Sequence, residues 1–490
     1  MPKILLVDLN NFARYPTLAI GYLVTPLRAA GYEVDVLSPL AIGAPATERE
    51  RAENWREHLK RQINFATHPV VQPLHEPIRK LYEKWQSEPH VITLKAVQER
   101  ITQAKPDIIL LSAYLNHYGS VQAVAGLALR HKIPVLLGGP AFSQPETIRE
   151  WLSITGVTAI FAGEADWVIA DMVDTAIRRK DLNVWPGIFT HDNGEYAAVA
   201  PPLQELDRLP IPDFDDFPWH AYPHRIIPVM TGRGCSWDVC TFCSDVITSN
   251  GRSFRSRPVQ AVLNELQVQS ARYRSKDFIF LDLKLNSNLA MWHGLIDHFQ
   301  HIIPGGRWIA TVHVDAHGEN GLDLSTLVAA KAAGLTRISF GLETGSQRLA
   351  KRMSKGTDIE RNRQFVADAY RAGLSVRCSM MLGYPEETVH DLKDTRNFLL
   401  DSLDEFDRVR PARFKAIPGT RFHKLYQQRP DRYQGMTHVA WDYRFARASY
   451  QYKPATEPAY RHVKQQVLGL IHTINSKPLR DDARQFDGLM

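Results

Sequence analysis

The sequence predicts an α/β protein that contains two successive series of β-α units. Short apolar runs alternate with helical segments before residue 165 and again after residue 228, a pattern typical of parallel sheets covered by helices. A stretch dense in proline and aspartate separates the two series, and 490 residues with 44% hydrophobic side chains suffice for two or three cores. We predict a Rossmann-like N-terminal domain, then a partial (β/α)6 barrel, then a small C-terminal capping region.

The composition argues against several classes of protein. Lysine and arginine number 59 against 53 acidic residues, a net charge of +6, and so small an excess makes nucleic-acid binding an unfavoured interpretation. No apolar run reaches the roughly 18 residues of a membrane span. The first residues, MPKILLVDLNNF, begin a strand rather than a charged leader. We therefore expect a cytoplasmic protein that does not contact membranes.

Residues 1–196 are predicted to form the first domain. The runs KILLVDL, EVDVL, PDIILLSAY, PVLLGGP and TAIFAGEAD are typical of buried parallel strands, with helical segments between them. Residues 45–104 are charged and helical in pattern, which predicts an inserted pair of surface helices that could also cover a ligand. A doubly wound sheet binds ligands beyond the carboxyl ends of its strands. The corresponding loops are Asp8–Asn11, Ser112–Tyr118, Gly138–Pro140 and Gly163–Glu164.

The second half of the chain starts after a predicted linker at residues 197–228, where proline and aspartate disfavour both helix and central strand. Residues 229–422 are predicted to form the barrel, whose chemistry lies at the C-terminal ends of its strands. The six strand-like runs are RIIPVMTG, FIFLDL, RWIATVHVD, TRISFGLE, SVRCSMMLGY and RVRPARFKAI. Residues 423–490 are rich in Tyr, Arg, His and Trp and are predicted to cap the barrel mouth.

The strongest local signal is GRGCSWDVCTFCSD, in which Cys235, Cys240 and Cys243 have a C-x4-C-x2-C spacing directly after the first barrel strand. Three thiolates can hold a [4Fe–4S] cluster and leave one iron open to a ligand. Two other interpretations stay open. A plant-type [2Fe–2S] centre needs a fourth cysteine, but Cys378 lies inside a predicted strand and is expected to pack in the core. A zinc site with three cysteines and one histidine is the other.

Seven segments occur in an order that carries a family resemblance: PIPDFDDFPW, GRGCSWDVCTFC, RSRPVQAVLNEL, FIFLDLKLNSN, GLTRISFGLETGSQRLAKRMSKGT, MMLGYPEET and FKAIPGT. Over roughly residues 1–425 the chain resembles the radical S-adenosylmethionine (SAM) superfamily, specifically the branch whose N-terminal domain resembles cobalamin-binding modules. One departure is that the usual family spacing is C-x3-C-x2-C, so this chain carries one extra residue between Cys235 and Cys240.

The resemblance implies roles for individual barrel residues. Cys235, Cys240 and Cys243 would bind a [4Fe–4S] cluster whose open iron chelates SAM, and cleavage of SAM would give a 5′-deoxyadenosyl radical. Phe242 would lie near the adenine, and Glu343 has the position of the family's SAM-contacting carboxylate. Gly383 would let the backbone approach SAM, or could simply serve a turn. Asp282 and Asn286 could contact SAM or substrate, or cap the next helix.

The N-terminal domain resembles the cobalamin-binding fold, although the same β-α-β signals also fit flavodoxin-like or nucleotide-binding domains. The resemblance implies a cobalamin site built from strand-end residues, and Tyr114 or His117 could face the cobalt. The expected cobalamin-binding residues are Asn10, Ser112, Tyr114, Gly138, Gly139, Gly163 and Glu164. No D-x-H-x-x-G motif follows the first strand, which is usual for this branch of the superfamily.

These expectations lead to a cobalamin-dependent radical SAM methyltransferase that uses methylcobalamin to methylate an unactivated carbon of a small-molecule or peptide biosynthetic intermediate. The resemblance implies an electron donor such as flavodoxin or ferredoxin. Three alternatives stay open: a B12-associated enzyme that catalyses a rearrangement, a cyclisation or the transfer of another SAM fragment; a zinc-containing binding protein; and an RNA-modifying methylthiotransferase. The last predicts a second cysteine triplet and a C-terminal nucleic-acid module, neither of which the sequence shows.

Overall fold

The structure, a computed structural model, describes residues 1–46, 52–68, 81, 88–194, 197–248, 251, 253–316 and 318–489. Its strands are β1 Lys3–Val7, β2 Glu33–Leu37, β3 Ile108–Ser112, β4 Val135–Gly138, β5 Ala159–Phe161, β6 Ile188–Phe189, β7 Ile226–Val229, β8 Gly232–Arg233, β9 Arg255–Ser256, β10 Asp277–Phe280, β11 Arg307–Val312, β12 Leu335–Glu343, β13 Ser375–Leu382, β14 Arg408–Arg413, β15 Met436–Asp442 and β16 Arg447–Tyr452. Its helices are α1 Leu18–Ala29, α2 Trp55–Asn64, α3 Val91–Ala104, α4 Tyr118–Arg130, α5 Pro145–Leu152, α6 Ile169–Ile177, α7 Val259–Tyr273, α8 Leu289–Ile302, α9 Leu324–Ala332, α10 Gln347–Arg352, α11 Ile359–Arg371, α12 Val389–Asp401, α13 Arg421–Gln428 and α14 Pro458–Asn475. Within these ranges no helix combines the length and the apolarity that crossing a membrane requires.

The N-terminal sheet has the order β2-β1-β3-β4-β5-β6. The first five strands pair in parallel, as the apolar runs predict, and β6 is added antiparallel to β5. The parallel strands are buried on both faces because helices cover each side, so their sequences are continuously apolar rather than alternating. Their carboxyl ends all meet at one edge of the sheet, and the predicted ligand loops therefore lie together.

The surface character predicted for residues 45–104 is wrong for the last part of this region. The second helix of the predicted pair, at residues 78–87, lies almost entirely outside the described residues. Helix α3 buries Ala96, Val97 and Ile101 in the core of the N-terminal domain. It is the crossover between β2 and β3, which lie on opposite sides of β1, and a parallel crossover requires a helix packed on the sheet. The charged residues of α3 mask this role in the sequence. Residues 47–51, 69–80 and 82–87 of this region lie outside the described residues.

The second sheet has the order β14-β13-β12-β11-β10-β7, with every pair parallel. This is a six-stranded open barrel in which consecutive strands are neighbours, and it confirms the predicted partial (β/α)6 barrel. The strands' carboxyl ends form the mouth of the barrel. Cys378 is fully buried in β13, as the sequence predicts, so it cannot supply the fourth ligand of a [2Fe–2S] centre in the cysteine loop.

The segment between the two sheets connects them through charged and backbone contacts. Asp213 accepts hydrogen bonds from Arg28 of α1 (2.9 Å) and from Arg272 of α7 (3.0 Å), and so joins one helix of each domain. The Phe214 backbone N–H donates to the Tyr273 hydroxyl at 2.7 Å. These contacts explain why a stretch without regular structure holds a defined position.

The C-terminal region does not cap the barrel mouth as a whole, which corrects the prediction for residues 423–490. The β15–β16 hairpin lies near the mouth, whereas α14 packs beside α12 and β14 on the outside of the barrel. The last described residues lie at the opposite end: Phe486 and Leu489 pack on Ile226 and Ile279.

Candidate active site

The cysteine loop begins and ends on a short two-stranded ladder at the barrel mouth. Strands β8 and β9 pair antiparallel, and Asp282, which follows β10, fixes the start of the loop. Its carboxylate accepts hydrogen bonds from the Thr231 and Gly232 backbone N–H groups at 3.1 and 2.8 Å and from the Thr231 hydroxyl at 2.8 Å. Burial raises the pKa of Asp282 to about 6, although these hydrogen bonds oppose the shift.

This geometry changes the interpretation of two residues that the sequence suggested as SAM or substrate contacts. The Asp282 side chain is already committed to the backbone of the cysteine loop, so we assign it a positioning role. Asn286 is buried as well, and its amide joins the His313 backbone through a donated and an accepted hydrogen bond, both of 2.9 Å. Neither side chain points its polar atoms at open space.

Four buried charges attach the stem of the cysteine loop to the N-terminal domain. Arg233 donates to Asp166 through two nitrogens, at 2.8 and 2.9 Å, and to Glu164 at 3.1 Å. Arg255, on the paired strand, donates to Glu164 at 2.6 Å. The side chains of all four residues are at most 7% exposed, and the two positive charges balance the two negative ones. We call these four residues the interdomain clamp.

The extra residue between Cys235 and Cys240 lies in a loop that is held in place by Trp237. The indole N–H of Trp237 donates to the Ser354 carbonyl at 2.8 Å, and its ring packs on Gly356, where a Cβ would lie 2.3 Å from the indole. Further along, the Thr241 N–H donates to the Met353 carbonyl at 2.9 Å. The longer spacing is therefore accommodated by packing the loop on the segment that follows α10.

Lys355, a residue that no sequence motif singled out, interacts electrostatically with all three cysteines. Its ammonium lies 3.7 Å from the Glu343 carboxylate and 5.9 Å from the centre of the Phe242 ring. Burial disfavours the charge on Lys355, but Glu343 and the three cysteine sulfurs together raise its pKa above the usual value. A cation that interacts with all three cysteines suits an anionic iron–sulfur cluster.

The thiols themselves are disfavoured as isolated anions. Burial raises the pKa of Cys240 above its ordinary value and that of Cys243 to about 12. Buried thiols of this kind become thiolates when a metal binds to them. Lys355 opposes the shift at Cys240, so the cation and a metal cluster would act in the same direction.

Glu343 is aimed at the mouth by an unusual backbone conformation. It ends β12 with φ of +61°, and the pairing with β13 shifts register between Gly341 and Glu343. A bulge of this kind re-aims a side chain, and a positive φ at a non-glycine residue is often found at functional sites. Gly341 leaves the necessary room, because a Cβ there would lie 2.5 Å from Glu343 Oε1 and 2.8 Å from Lys355 Nζ.

Gly383, which follows β13, has a backbone conformation that favours glycine and open space where a side chain would lie, so a ligand could approach its backbone closely. Its φ is +81°, which favours glycine. A Cβ at this position would meet no atom within 4 Å, so the backbone faces open space. The geometry fits either interpretation of Gly383, the turn or the SAM contact.

A cavity of about 1940 Å³ lies between the two domains. This volume is roughly twice the upper end of the 300–1,000 Å³ that is typical of small-molecule sites. One wall is the strand-end edge of the N-terminal sheet, and the other is the mouth of the barrel with the β15–β16 hairpin. Gly232, Arg233 and Gly234, directly before Cys235, line the cavity as well, so it reaches the stem of the cysteine loop.

All seven residues expected at a cobalamin site line this cavity: Asn10, Ser112, Tyr114, Gly138, Gly139, Gly163 and Glu164. A Cβ at Gly138 would meet only the Phe161 carbonyl, at 3.6 Å, whereas a Cβ at Gly139 would lie 2.7 Å from the Ala113 backbone. Gly138 therefore borders open space, and Gly139 is required by the turn. The Glu164 carboxylate belongs to the interdomain clamp.

His117 does not line the cavity, which corrects the suggestion that it could face a cobalt ion. Its Nδ1 accepts a hydrogen bond from the Tyr114 backbone N–H at 3.2 Å. Burial lowers the pKa of His117 to about 4, so the ring is neutral and positions the loop. Tyr114 itself is 45% exposed and borders the cavity.

The barrel side of the cavity carries four charged residues, of which only Lys415, in FKAIPGT, lies in a segment that the sequence pattern indicated. Lys415, after β14, and Asp442, Arg444 and Arg447, in the hairpin, line it together. Their elements are far apart in the sequence, and only the packing of the hairpin on the mouth brings them to one wall. Lys355 and Gly341 lie within the segment GLTRISFGLETGSQRLAKRMSKGT, around Glu343. That segment was the one sequence signal that could have indicated them.

Residues 229–399 match the family model of the Radical SAM superfamily, which confirms the prediction of a radical SAM domain. The chain is also 29% identical over 344 residues to the uncharacterized methyltransferase PH0819 of Pyrococcus horikoshii. That alignment covers 67% of this chain and 71% of the relative.

Two solved structures share the fold over most of the chain. OxsB, a cobalamin-dependent S-adenosylmethionine radical enzyme with aqua-cobalamin bound, aligns with a TM-score of 0.67 and 17% identity, over 92% of this chain and 64% of its own. The radical S-adenosylmethionine methyltransferase TsrM from Kitasatospora setae, with tryptophan substrate and a SAM analogue bound, aligns with a TM-score of 0.64 and 16% identity, over 87% of this chain and 76% of its own. At these identities the likeness shows the fold, and it confirms the predicted two-domain architecture. The chain spans under two thirds of OxsB.

The interdomain clamp predicts that Arg233→Met will release the cysteine loop. The substitution leaves Asp166 buried without its partner, and breaking a buried ion pair costs about 3–5 kcal/mol. We expect a lower midpoint of thermal unfolding and a loss of iron after anaerobic reconstitution, measured by calorimetry and iron analysis. Arg208→Met removes an exposed ion pair, with side chains 74% and 60% exposed, and is the control. An Arg233→Met protein with full iron content and an unchanged midpoint would contradict the proposed role of the clamp.

The open position of Gly138 predicts that Gly138→Leu will fill the cavity without disturbing the fold. We expect iron content and circular dichroism to stay at the wild-type level while corrinoid binding falls by more than about tenfold, because a bulky side chain would occupy ligand space. Absorption spectroscopy after gel filtration with cobalamin measures this. Gly126→Leu, on α4 with no atom near its Cβ, is the matched control. Equal corrinoid binding by both variants would show that the cavity is not the cobalamin site.

Proposed function

We propose that this chain, which carries a domain of the Radical SAM superfamily, is a cobalamin-dependent radical SAM methyltransferase. Its proposed reaction is the methylation of an unactivated carbon in a small-molecule or peptide biosynthetic intermediate. The overall reaction is a proposal because the relatives are similar to this chain over only part of their length and at low sequence identity. When bound, the reduced cluster and SAM supply a radical that can remove hydrogen from carbon, and cobalamin supplies a methyl carrier.

The cavity between the two domains is the observation that carries this proposal. Its walls come from the strand ends of a Rossmann-like sheet on one side and from the stem of the cysteine loop on the other. A corrin needs a site larger than that of an ordinary metabolite, and about 1940 Å³ meets this requirement. The backbone at Gly138 borders the cavity with open space at its Cβ position, and glycine allows a flat ligand to approach the main chain closely.

The residues around the cysteines fit the cluster and SAM. Cys235, Cys240 and Cys243 would hold the cluster with one iron open. The Lys355 ammonium can donate to a carboxylate, and the Glu343 carboxylate can accept from an ammonium or a hydroxyl. An amino acid headgroup has one partner of each sign here, and the open space beside Gly383 leaves room for the rest of SAM.

The protein's own contribution is to orient these groups and to limit the access of water. The interdomain clamp fixes the distance between the cysteine loop and the N-terminal sheet, and Asp282 fixes the direction in which the loop leaves the barrel. Cavity walls from both domains border the space between them, which would limit the contact of reactive species with solvent. An electron donor such as flavodoxin or ferredoxin would reduce the cluster.

The substrate would meet the wall formed by the β15–β16 hairpin and the segment after β14. Lys415, Arg444 and Arg447 are three cationic side chains on this wall, with Asp442 beside them. Arginine suits carboxylate or phosphate groups through paired hydrogen bonds. The arrangement supports a substrate with an anionic group, either a small molecule or a peptide.

Two of the three alternatives are disfavoured by the sequence and the structure, and the third requires an experiment. A methylthiotransferase would need a second cysteine triplet, but the sequence contains only four cysteines and the fourth, Cys378, is buried in β13. A protein in which the cysteines hold zinc would leave the large cavity without a purpose. A B12-associated rearrangement, cyclisation or transfer of another SAM fragment uses the same site, and only product analysis distinguishes it from methyl transfer.

We expect the reconstituted enzyme to transfer the methyl group of SAM to carbon in its product. The experiment incubates the anaerobic protein, cobalamin, dithionite and SAM labelled in its methyl group with candidate substrates that carry an anionic group. Mass spectrometry of the product and of 5′-deoxyadenosine measures both halves of the reaction. The Cys240→Ala variant, which lacks a cluster ligand, is the control and should form neither. Formation of deoxyadenosine together with an unlabelled, rearranged product would contradict methyl transfer and would support a B12-associated rearrangement or cyclisation.

We expect Lys355→Met to weaken SAM binding by about 10- to 100-fold, because a hydrogen bond to a charged group contributes about 1.5–3 kcal/mol. Iron content should change little, since the three cysteines remain. Equilibrium binding of SAM and the rate of its reductive cleavage are the measurements. Lys351→Met, which changes an exposed lysine on α10, is the matched control, and Lys355→Arg should restore part of the affinity. Unchanged SAM affinity in Lys355→Met would remove this residue from the site.

A further inference from the structure

A cluster of three metal-ligating side chains lies away from the barrel mouth, where α2 meets α14. Glu53 precedes α2, His58 lies on α2, and His472 lies near the end of α14. One oxygen of Glu53 and one ring nitrogen from each histidine all lie within 4.8 Å of one another. Glu53 Oε1 is 3.9 Å from His58 Nδ1 and 3.7 Å from His472 Nδ1.

The three converging atoms share one property: each is buried and lacks a hydrogen-bond partner. They are Glu53 Oε1, His58 Nδ1 and His472 Nδ1. The Glu53 side chain is only 2% exposed, so its free oxygen cannot turn to solvent. A buried polar atom without a hydrogen bond is costly. One carboxylate oxygen and two imidazole nitrogens that face one another in this state indicate that a bound ligand satisfies them.

We propose that Glu53, His58 and His472 form a binding site for a divalent transition metal, with Zn²⁺ as the best fit. Two imidazoles and one carboxylate are a known zinc donor set. In a tetrahedral zinc site with bonds of about 2.0–2.2 Å, ligand atoms lie about 3.3–3.5 Å apart. The two measured separations exceed this by a few tenths of an ångström, so small side-chain movements would close the site.

The surroundings leave the ligand atoms available for a cation. The other Glu53 oxygen, Oε2, is occupied by Arg61 at 2.5 Å and by the Asn475 amide at 3.3 Å, which fixes the carboxylate with Oε1 turned towards the histidines. The two histidines are 25% and 28% exposed, which leaves a path for the ion and room for water as a fourth ligand.

The site would connect two distant parts of the chain. Residues 52–68 belong to the N-terminal half, whereas α14 packs beside α12 and β14 of the barrel. Two hydrogen bonds already join these parts of the chain. The Glu53 N–H donates to the Asn475 carbonyl at 2.9 Å, and the Lys464 ammonium donates to the Phe65 carbonyl at 2.7 Å. A metal ion at this point would make the attachment of α2 to the barrel depend on metal concentration.

The test is a zinc titration of full-length protein with its cluster reconstituted, in the presence of a chromophoric chelator that competes for the ion. We expect the wild type to bind one equivalent of Zn²⁺ with a rise in thermal midpoint. His58→Gln and His472→Gln should each weaken this binding by more than about tenfold, since weaker perturbations of a metal shell already cost 10- to 100-fold. His462→Gln, an exposed histidine on the same helix, should bind as the wild type does.

X-ray absorption at the zinc edge separates this site from the cysteine loop. The proposal requires nitrogen and oxygen neighbours at about 2.0–2.2 Å and no sulfur at about 2.3 Å. A sulfur shell, a wild type that binds no zinc, or equal affinity in the wild type, His58→Gln and His472→Gln would each overturn the proposal. Two single variants on different helices keep the test decisive if one of them folds poorly, and circular dichroism identifies that case.

Discussion

The interdomain clamp is the interaction on which the geometry of the active site depends. Arg233 and Arg255 leave the barrel on the two strands that carry the cysteine loop, and Glu164 and Asp166 leave the N-terminal sheet at its strand ends. Burying four charges is expensive unless each finds a partner of opposite sign in good geometry. Because this condition is met in only one relative placement of the two domains, the clamp fixes the cavity and the loop together.

In the rest of the site, buried polar side chains likewise have partners within the protein that fix their positions. Asp282 uses its carboxylate on the backbone of the loop, so the loop has a defined start. Glu343 takes a positive φ at a bulge, and its oxygen lies 3.7 Å from the Lys355 ammonium. Conformations of this kind cost energy locally and persist where the surrounding structure holds them. The strained residue, Glu343, belongs to the site that contains the cysteines, where the proposed chemistry requires rigidly held groups.

Much of the architecture could be predicted from the sequence, because apolar strands and glycine turns are local signals. Both parallel sheets and the cysteine loop were predicted, and all seven expected cavity residues lie at one edge of the sheet. Hydrogen-bond partners could not be predicted. The sequence does not reveal that Asp282 and His117 accept hydrogen bonds from backbone N–H groups instead of contacting ligands. The role of α3 was hidden by its charged face. Glu53 and His472 have no shared motif, and only tertiary packing brings them together.

The central claim is that one chain holds a corrinoid between its domains and an iron–sulfur cluster in the cysteine loop. The most direct test is the absorption spectrum and metal content of the wild-type protein, purified without oxygen from cells supplied with cobalamin. We expect corrinoid bands with about one cobalt and four irons per chain. A protein without corrinoid bands after reconstitution, or one whose cysteines hold zinc instead of iron, would contradict it.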